Sequence, residues 1–365
     1  MTQVQRYLLV VYVSLFVFVG ASIQPAHSGL ANIDNNLKST VLVSIKNVKP
    51  LLDETTNNTA PVPMPESGGL GSGIIVSPQG HIITNYHVIE KGNTISVWMH
   101  DDKSMTEYEA TIVGYDKLSD IAVIKIDLPE DYIFRYIEWG KEPDFGDDIY
   151  VIGHPQGMIW SVSKGVVSNP KRFVSSPWQR LIQSDALIMP GNSGGPLFDN
   201  KGNLIGINTL MILSRDPNAK TQAWAMSIHV DDVRWVYDRI ISYGEVRRPA
   251  LNIEVDFDVD KKLVKIKASP DSNLYKAGMI EESYLSEIDG VKVQEYGDIF
   301  KYLKTKLDGD AVTVKVVTIE SGEVLTLEFV LGSWKDMEEK MSQPVEMEVE
   351  PKEKEDTPMR IPPPK

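Results

Sequence analysis

The chain has 365 residues, enough for two domains plus tails, and 42% of them are apolar, an ordinary share for a globular protein. Its 37 Lys and Arg against 51 Asp and Glu leave a formal net charge of −14, which argues against a nucleic-acid partner, because phosphate binding needs clustered cations. There is no cysteine, so disulfide frameworks, thiol catalysis and cysteine-based metal sites are excluded.

In chain order, Arg6 precedes an apolar run over residues 7–23, followed by QPAHSG. Ala26 and Ser28 place small residues two apart, the pattern of a signal peptide cleaved after Ser28. The run also has about the minimum length that spans a bilayer, so an uncleaved membrane anchor stays open beside it. On either reading residues 1–28 are a targeting or tethering segment, and the rest of the chain lies outside the cytoplasm.

Residues 40–228 carry many short β-like runs, among them SGIIVSP, HIITNYHVI, IAVIKI, DIYVIGHP and LIGINTL, separated by Gly, Pro, Asn and Asp. That pattern predicts an all-β barrel or sandwich. The polar, proline-rich stretch over residues 51–69 reads as a surface loop. The period then changes in VDDVRWVYDRIISYG, where Val233, Val236, Tyr237, Ile240 and Ile241 fall at helical spacing. Asp231 is the expected cap of this helix and Gly244 its end. After the linker EVRRP, β-like runs mix with the helical stretch GDIFKYLKTKL, which predicts a small α+β domain. The remainder, residues 333–365, alternates charges and ends in PPP, a composition that cannot build a packed core. The expected layout is therefore residues 1–28, a first domain over 29–247, a second over 248–332, and a disordered tail over 333–365.

The chemistry centres on PGNSGG. A serine hydroxyl is a poor nucleophile until a base takes its proton. The base is expected to be a histidine held in the right tautomer by a carboxylate. His87 follows one β run and Asp120 opens another, so His87, Asp120 and Ser193 stand in one of the three chain orders known for that geometry. The glycines let the amides of Gly191 and Ser193 point the same way, toward the negative charge that acyl transfer builds on a substrate oxygen. GPLFDNKGNLIGI then reads as a hairpin that anchors the turn.

The strings GSGIIVSPQGHIITNYHVIE, SDIAVIKI, SDALIMPGNSGGPLFDNKGNLIGINT and WAMSI, in this order, resemble the HtrA/Deg family of serine proteases. The second unit resembles a single PDZ domain. The resemblance implies a mainly β fold, with a chymotrypsin-like double β-barrel before a small α+β PDZ-like domain. It implies His87 as general base, Asp120 as its orienter, Ser193 as nucleophile, and an oxyanion hole at the amides of Gly191, Asn192 and Ser193. It also implies an endopeptidase of the cell envelope that cuts unfolded or misfolded proteins as a homotrimer, without cofactor or metal. Arg172 matches a loop arginine that relays activation, and Ala250, Leu251, Asn252 and Ile253 match the loop that receives peptide C-termini.

Leu187, Ile188 and Met189 bring no acidic residue to pair with Lys or Arg before the scissile bond. With Trp224, Ala225 and Met226 as a wall, they would form an apolar pocket for small to medium side chains; the same six residues also read as barrel core. Four places depart from the family pattern: HPQG at His154, WAMS at Trp224, EES over Glu281–Ser283 where Gly-Asp is usual, and Asn252 where a glycine is expected. Asn tolerates positive φ better than most residues, which suits that last position. His81, His100, His154 and His229 have no metal-ligand spacing, and SGGLGSG lacks the GK[ST] of a phosphate loop. Two rival functions remain: a tethered regulatory protease with one specific partner, and a binding protein or chaperone whose protease domain is largely latent. Export to a periplasm is the expected location, with an inner-membrane anchor as the alternative.

Overall fold

A computed structural model describes residues 31–45, 69–129, 132–174, 176, 178–213 and 223–336. The apolar N-terminal segment, most of the proline-rich loop and the tail from residue 337 lie outside the described residues. Among those described, no helix is long and apolar enough to cross a membrane. The chain divides into two units, Met1–Val246 and Arg247–Lys365.

In the first unit a short helix, α1 (Ile33–Ser39), leads into six strands: β1 (Thr40–Ile45), β2 (Leu70–Ile75), β3 (His81–Thr84), β4 (Ile95–Met99), β5 (Tyr108–Asp116) and β6 (Ile121–Ile126). They close into a barrel in the order β1-β2-β3-β6-β5-β4. A one-turn helix, α2 (Tyr86–Ile89), follows β3. The next six strands are β7 (Asp148–Gly153), β8 (Ser161–Arg172), β9 (Leu181–Ser184), β10 (Pro196–Asp199), β11 (Leu204–Leu213) and β12 (Ala223–His229). They close a second barrel in the order β10-β11-β12-β9-β8-β7. Two closed six-stranded barrels are the mainly β, chymotrypsin-like architecture that the resemblance implies, and they decide for barrels over the sandwich that the strand pattern also allows.

The period of two along each strand explains how the barrels pack. Ile75, Ile82, Ala122 and Ile124 fill the first barrel. Their neighbours Ile74, Ile83, Ile121 and Val123 point the other way, into a seam shared with Tyr150, Ile152, Phe198 and Ile228 of the second. Ile149, Val151, Ile182 and Leu197 fill the second barrel itself. Such strands must be apolar on both faces, and the sequence accordingly reads as near-continuous runs such as IAVIKI. Each fully buried Ile or Leu contributes roughly 1.5–3 kcal/mol.

Helix α3 (Val230–Tyr243) closes the seam with Val233, Val236 and Ile240. Its cap is His229 rather than Asp231, because the helix starts two residues earlier than the charge pattern implies and the His229 ring accepts from the Asp231 amide. Gly244 ends it at φ 77°, in the left-handed region.

The second unit has the pair β13 (Pro249–Ala250) and β20 (Gly332–Ser333), and a sheet of β14 (Ile253–Asp258), β15 (Leu263–Ala268), β16 (Ser283–Ile288), β18 (Ala311–Thr318) and β19 (Val324–Val330) in that order, with β17 (Val291–Lys292) beside β16. Helices α4 (Asn273–Lys276) and α5 (Tyr296–Leu303) complete this α+β unit. Composition assigns Ser333 to the tail; in the structure it pairs with Pro249, and the Trp334 amide donates to the Arg248 carbonyl at 2.8 Å. The strand pairing of Ser333 and the backbone bond of Trp334 outweigh the charged run that follows them.

Candidate active site

His87 is held where two loops are sewn together. The Asn85 side-chain amide donates to the Asp120 carbonyl at 2.8 Å, and the Tyr86 amide to the same oxygen at 3.3 Å. Asp120 itself adopts φ 53°, a conformation that Asp reaches more readily than most residues. Its carboxylate receives three donors. The His87 amide reaches Oδ1 at 3.0 Å, His87 Nδ1 reaches Oδ2 at 2.8 Å, and Thr209 Oγ1 reaches Oδ2 at 2.6 Å. A carboxylate only accepts, so Nδ1 carries the ring proton and Nε2 keeps the lone pair that a general base needs.

Ser193 lies on the turn between β9 and β10. Its carbonyl accepts from the Ser72 amide at 2.8 Å, and the Gly194 amide donates to the Asn208 carbonyl at 2.9 Å. The Ser193 hydroxyl donates to the Thr209 carbonyl at 3.3 Å. Thr209 thus touches both Asp120 and Ser193. Sequence reasoning missed it, since a threonine at the end of LIGINT carries no motif. Its physical mark is a β-bulge: the pairing of β11 with β12 slips between Asn208 and Leu210, which frees Thr209 to turn toward the site.

Gly191 adopts φ 103°, and a Cβ there would lie 2.2 Å from the His154 carbonyl oxygen. Only glycine fits. The Asn192 amide donates to the Met189 carbonyl at 3.0 Å, so this member of the expected oxyanion hole is engaged in closing the turn. Among the described residues no backbone bond uses the amides of Gly191 or Ser193.

The expected apolar pocket separates into two groups. Leu187 and Met189 line a cavity of about 160 Å³ with Pro155, Met158, Val162 and Asn192. Ile188 faces the second barrel's interior, as successive residues of an extended segment point to opposite sides. Ala225 lies in that same interior and Met226 in the seam, so both are core, while Trp224 is exposed on β12. Arg172 is not on a loop but ends β8, where its Nε donates to Gln183 Oε1 of β9 at 2.9 Å.

Of the remaining histidines, His229 approaches Glu142 and Asp231 at 3.7 Å each. Those carboxylates belong to an ion network around Arg180, which bonds Asp231 at 3.3 Å and the buried Asp232 at 2.6 Å. Burial holds His229 down to about 4.

In the second unit, Ala250, Leu251, Asn252 and Ile253 border a cavity of about 140 Å³ together with Phe300 and Trp334. Asn252 takes φ 52°, the left-handed conformation for which a glycine is expected. Strand β14 ends the sheet, so the edge away from β15 has no strand partner among the described residues.

Comparison with known proteins narrows the class first. The family model of the trypsin-like peptidase domain matches residues 71–207. Among curated proteins, "Protease Do-like 1, chloroplastic" of Arabidopsis thaliana is 34% identical over 310 residues, covering 78% of this chain and 68% of that protein. The "Probable periplasmic serine endoprotease DegP-like" of Brucella suis is 31% identical over 260 residues, or 67% of this chain; the chain spans about half, 49%, of that relative's length. Among solved structures, the HtrA-type protease AlgW with a tripeptide superposes with a TM-score of 0.68 at 25% identity, covering 82% of this chain and 97% of that one. The chain belongs to the HtrA/Deg family of serine endoproteases.

Proposed function

We propose that this protein is an exported serine endopeptidase that hydrolyses unfolded or misfolded proteins, with His87, Asp120 and Ser193 as its catalytic residues. The observation that carries the reading is the Asp120 carboxylate, bonded at once to His87 Nδ1 and Thr209, beside a glycine-built serine turn. Ser193 Oγ releases the Thr209 carbonyl, passes its proton to His87 Nε2 and attacks the scissile carbonyl. Asp120 stabilises the imidazolium that forms. The amides of Gly191 and Ser193 receive the negative charge on the former carbonyl oxygen; removing one such donor costs about 3–4 kcal/mol of barrier lowering. His87 returns the proton to the leaving amine, and water then cleaves the acyl-enzyme by the same route.

Substrate binding has a natural template. Among the described residues, strand β11 pairs with β10 only as far as Ile207, and beyond it with β12 alone. The open edge over residues 209–213 starts at the nucleophile's own partner, Thr209, and can take an extended substrate as an added strand. Leu187 and Met189, whose cavity has no acidic lining among the described residues, favour apolar side chains near the cut. In the second unit the open edge of β14 and the Asn252 turn suit a peptide C-terminus in the same strand-addition mode. A homotrimer in the periplasm, with or without a tether through residues 1–28, completes the reading. The engagement of Ser193 by Thr209 rather than by the imidazole favours a second feature: a resting enzyme that a peptide or substrate switches on.

Labelling the full chain with a fluorophosphonate tests the assignment. Adduct mapped to Ser193, and lost in His87→Ala, supports it; adduct on another serine overturns it.

A further inference from the structure

The turn that carries the candidate oxyanion amides is pinned from outside, by residues with no assigned role. Ser72, on β2 of the first barrel, is fully buried. Its hydroxyl donates to the Gly191 carbonyl at 2.7 Å. The same oxygen lies 2.9 Å from His154 Nδ1. Ser72 has one hydroxyl proton and spends it on Gly191, so His154 Nδ1 is the donor in the second bond. The result is a relay: His154 Nδ1–H to Ser72 Oγ, and Ser72 Oγ–H to the Gly191 carbonyl.

This relay holds one end of the Gly191–Asn192 peptide. The other end, the Asn192 amide, is held by the Met189 carbonyl at 3.0 Å. The preceding peptide is fixed as well, since the Pro190 carbonyl accepts from the Gln156 amide at 2.8 Å. In a trans peptide the N–H points opposite to the C=O, so the Gln156 bond turns the Gly191 amide away from residues 154–157. The HPQG segment therefore grips two consecutive peptides of the turn, one by the Gln156 backbone and one by the His154 side chain through Ser72. The His154 carbonyl packs so closely on Gly191 that no side chain fits between them.

We propose that Ser72 and His154 are positioning residues for the proteolytic reaction, which orient the Gly191–Asn192 peptide so that the flanking amides of Gly191 and Ser193 face the developing oxyanion. The proposal rests on the reading of Ser193 as nucleophile. Neither side chain touches substrate, and both act through the Gly191 carbonyl. The surroundings keep the relay in one protonation state. His154 is completely buried with its ring edge-on to Trp160 at 5.2 Å, and its Nε2 has no hydrogen-bond partner among the described residues. A second proton on the ring would sit on Nε2 without an acceptor, and burial lowers the pKa to about 3. The ring therefore stays a neutral Nδ1–H donor at neutral pH.

The test compares wild type, Ser72→Ala, His154→Leu, His154→Asn and the Ser72→Ala/His154→Leu double variant, with Ser193→Ala alongside. The readouts are kcat and KM on a chromogenic peptide, and affinity for a peptide aldehyde, whose tetrahedral adduct needs the oxyanion site. Displacing the turn by a fraction of an ångström predicts a kcat loss on the order of tenfold to a hundredfold, with KM nearly unchanged and aldehyde affinity reduced in step. The Asn amide nitrogen occupies the place of Nδ1, so His154→Asn should recover most of the rate that His154→Leu loses. The double variant should be no slower than Ser72→Ala, because the two residues act in series. A merely structural role would lower the thermal midpoint in all variants without splitting kcat from KM or separating Asn from Leu. If Ser72→Ala retains wild-type kcat while Ser193→Ala is inactive, the relay is overturned and the nucleophile stands. If Ser193→Ala is as active as wild type, the underlying reading fails instead.

Discussion

The Thr209 hydroxyl donates to Asp120 Oδ2 at 2.6 Å, joining the second barrel to a carboxylate of the first. It is the donor on Asp120 that His87 does not supply. Hydrogen bonds to a charged group are worth about 1.5–3 kcal/mol, so Thr209→Ala should lower kcat by roughly tenfold to a hundredfold. Thr209→Ser, which keeps the hydroxyl, should stay within a few-fold of wild type. Steady-state kinetics on one peptide separates the two variants.

Asp120→Asn tests the tautomer argument. An amide NH2 facing Nδ1 would favour the proton on Nε2, the wrong nitrogen for a base. The expected loss in kcat is about 10⁴-fold with little change in thermal midpoint. A loss near tenfold would mean that Asp120 does not orient His87.

Gly191→Ala should be far worse than an ordinary glycine substitution. The new Cβ would stand 2.2 Å from the His154 carbonyl, on a residue at φ 103°. Backbone must move, and it is the turn carrying the proposed anion-binding amides that moves. We expect loss of activity and a lower thermal midpoint. Gly244→Ala, at φ 77° but with open space around its Cβ position, should cost stability and spare activity.

Much of this was legible in the chain. Short apolar runs such as IAVIKI announce strands that fit a sandwich as well as a barrel, and the double barrel was legible only through the family resemblance; the order of His87, Asp120 and Ser193 is visible because each lies close to the end of such a strand. The adjacency of Ile188 and Met189 hid a difference: neighbours on an extended segment face opposite ways, so one is core and the other borders a cavity. Ala225 and Met226 were indistinguishable from pocket residues for the same reason. Thr209, Ser72 and His154 act through contacts that span 89, 119 and 82 positions respectively, and no local pattern announces these. The helix cap at His229 was masked by Asp231, a better capping residue by composition.

Two buried histidines set a pH dependence of stability. His154 and His229 are lowered to about 3 and about 4 by burial, from an unfolded value of 6.5. As pH falls through 6.5 the unfolded chain binds protons that the native chain refuses, so stability declines. Each ring contributes a slope of about 1.4 kcal/mol per pH unit, until pH reaches its native value. Asp102 and Asp289, held at about 2 in the native state, add to the loss only below about 3.8. Urea midpoints between pH 7 and 4.5 should fall steadily, and His154→Asn should flatten the curve by one proton's worth. A flat wild-type profile would contradict the buried neutral rings.

The central claim is that Ser193, activated by His87 and Asp120, cuts unfolded protein. Its most direct test is the degradation of an unfolded protein such as casein by the full chain, beside Ser193→Ala and with apolar-ended peptides added to both. The account predicts cleavage by the wild type, faster with peptide, and none above background by the variant. Equal turnover by the two proteins would contradict it.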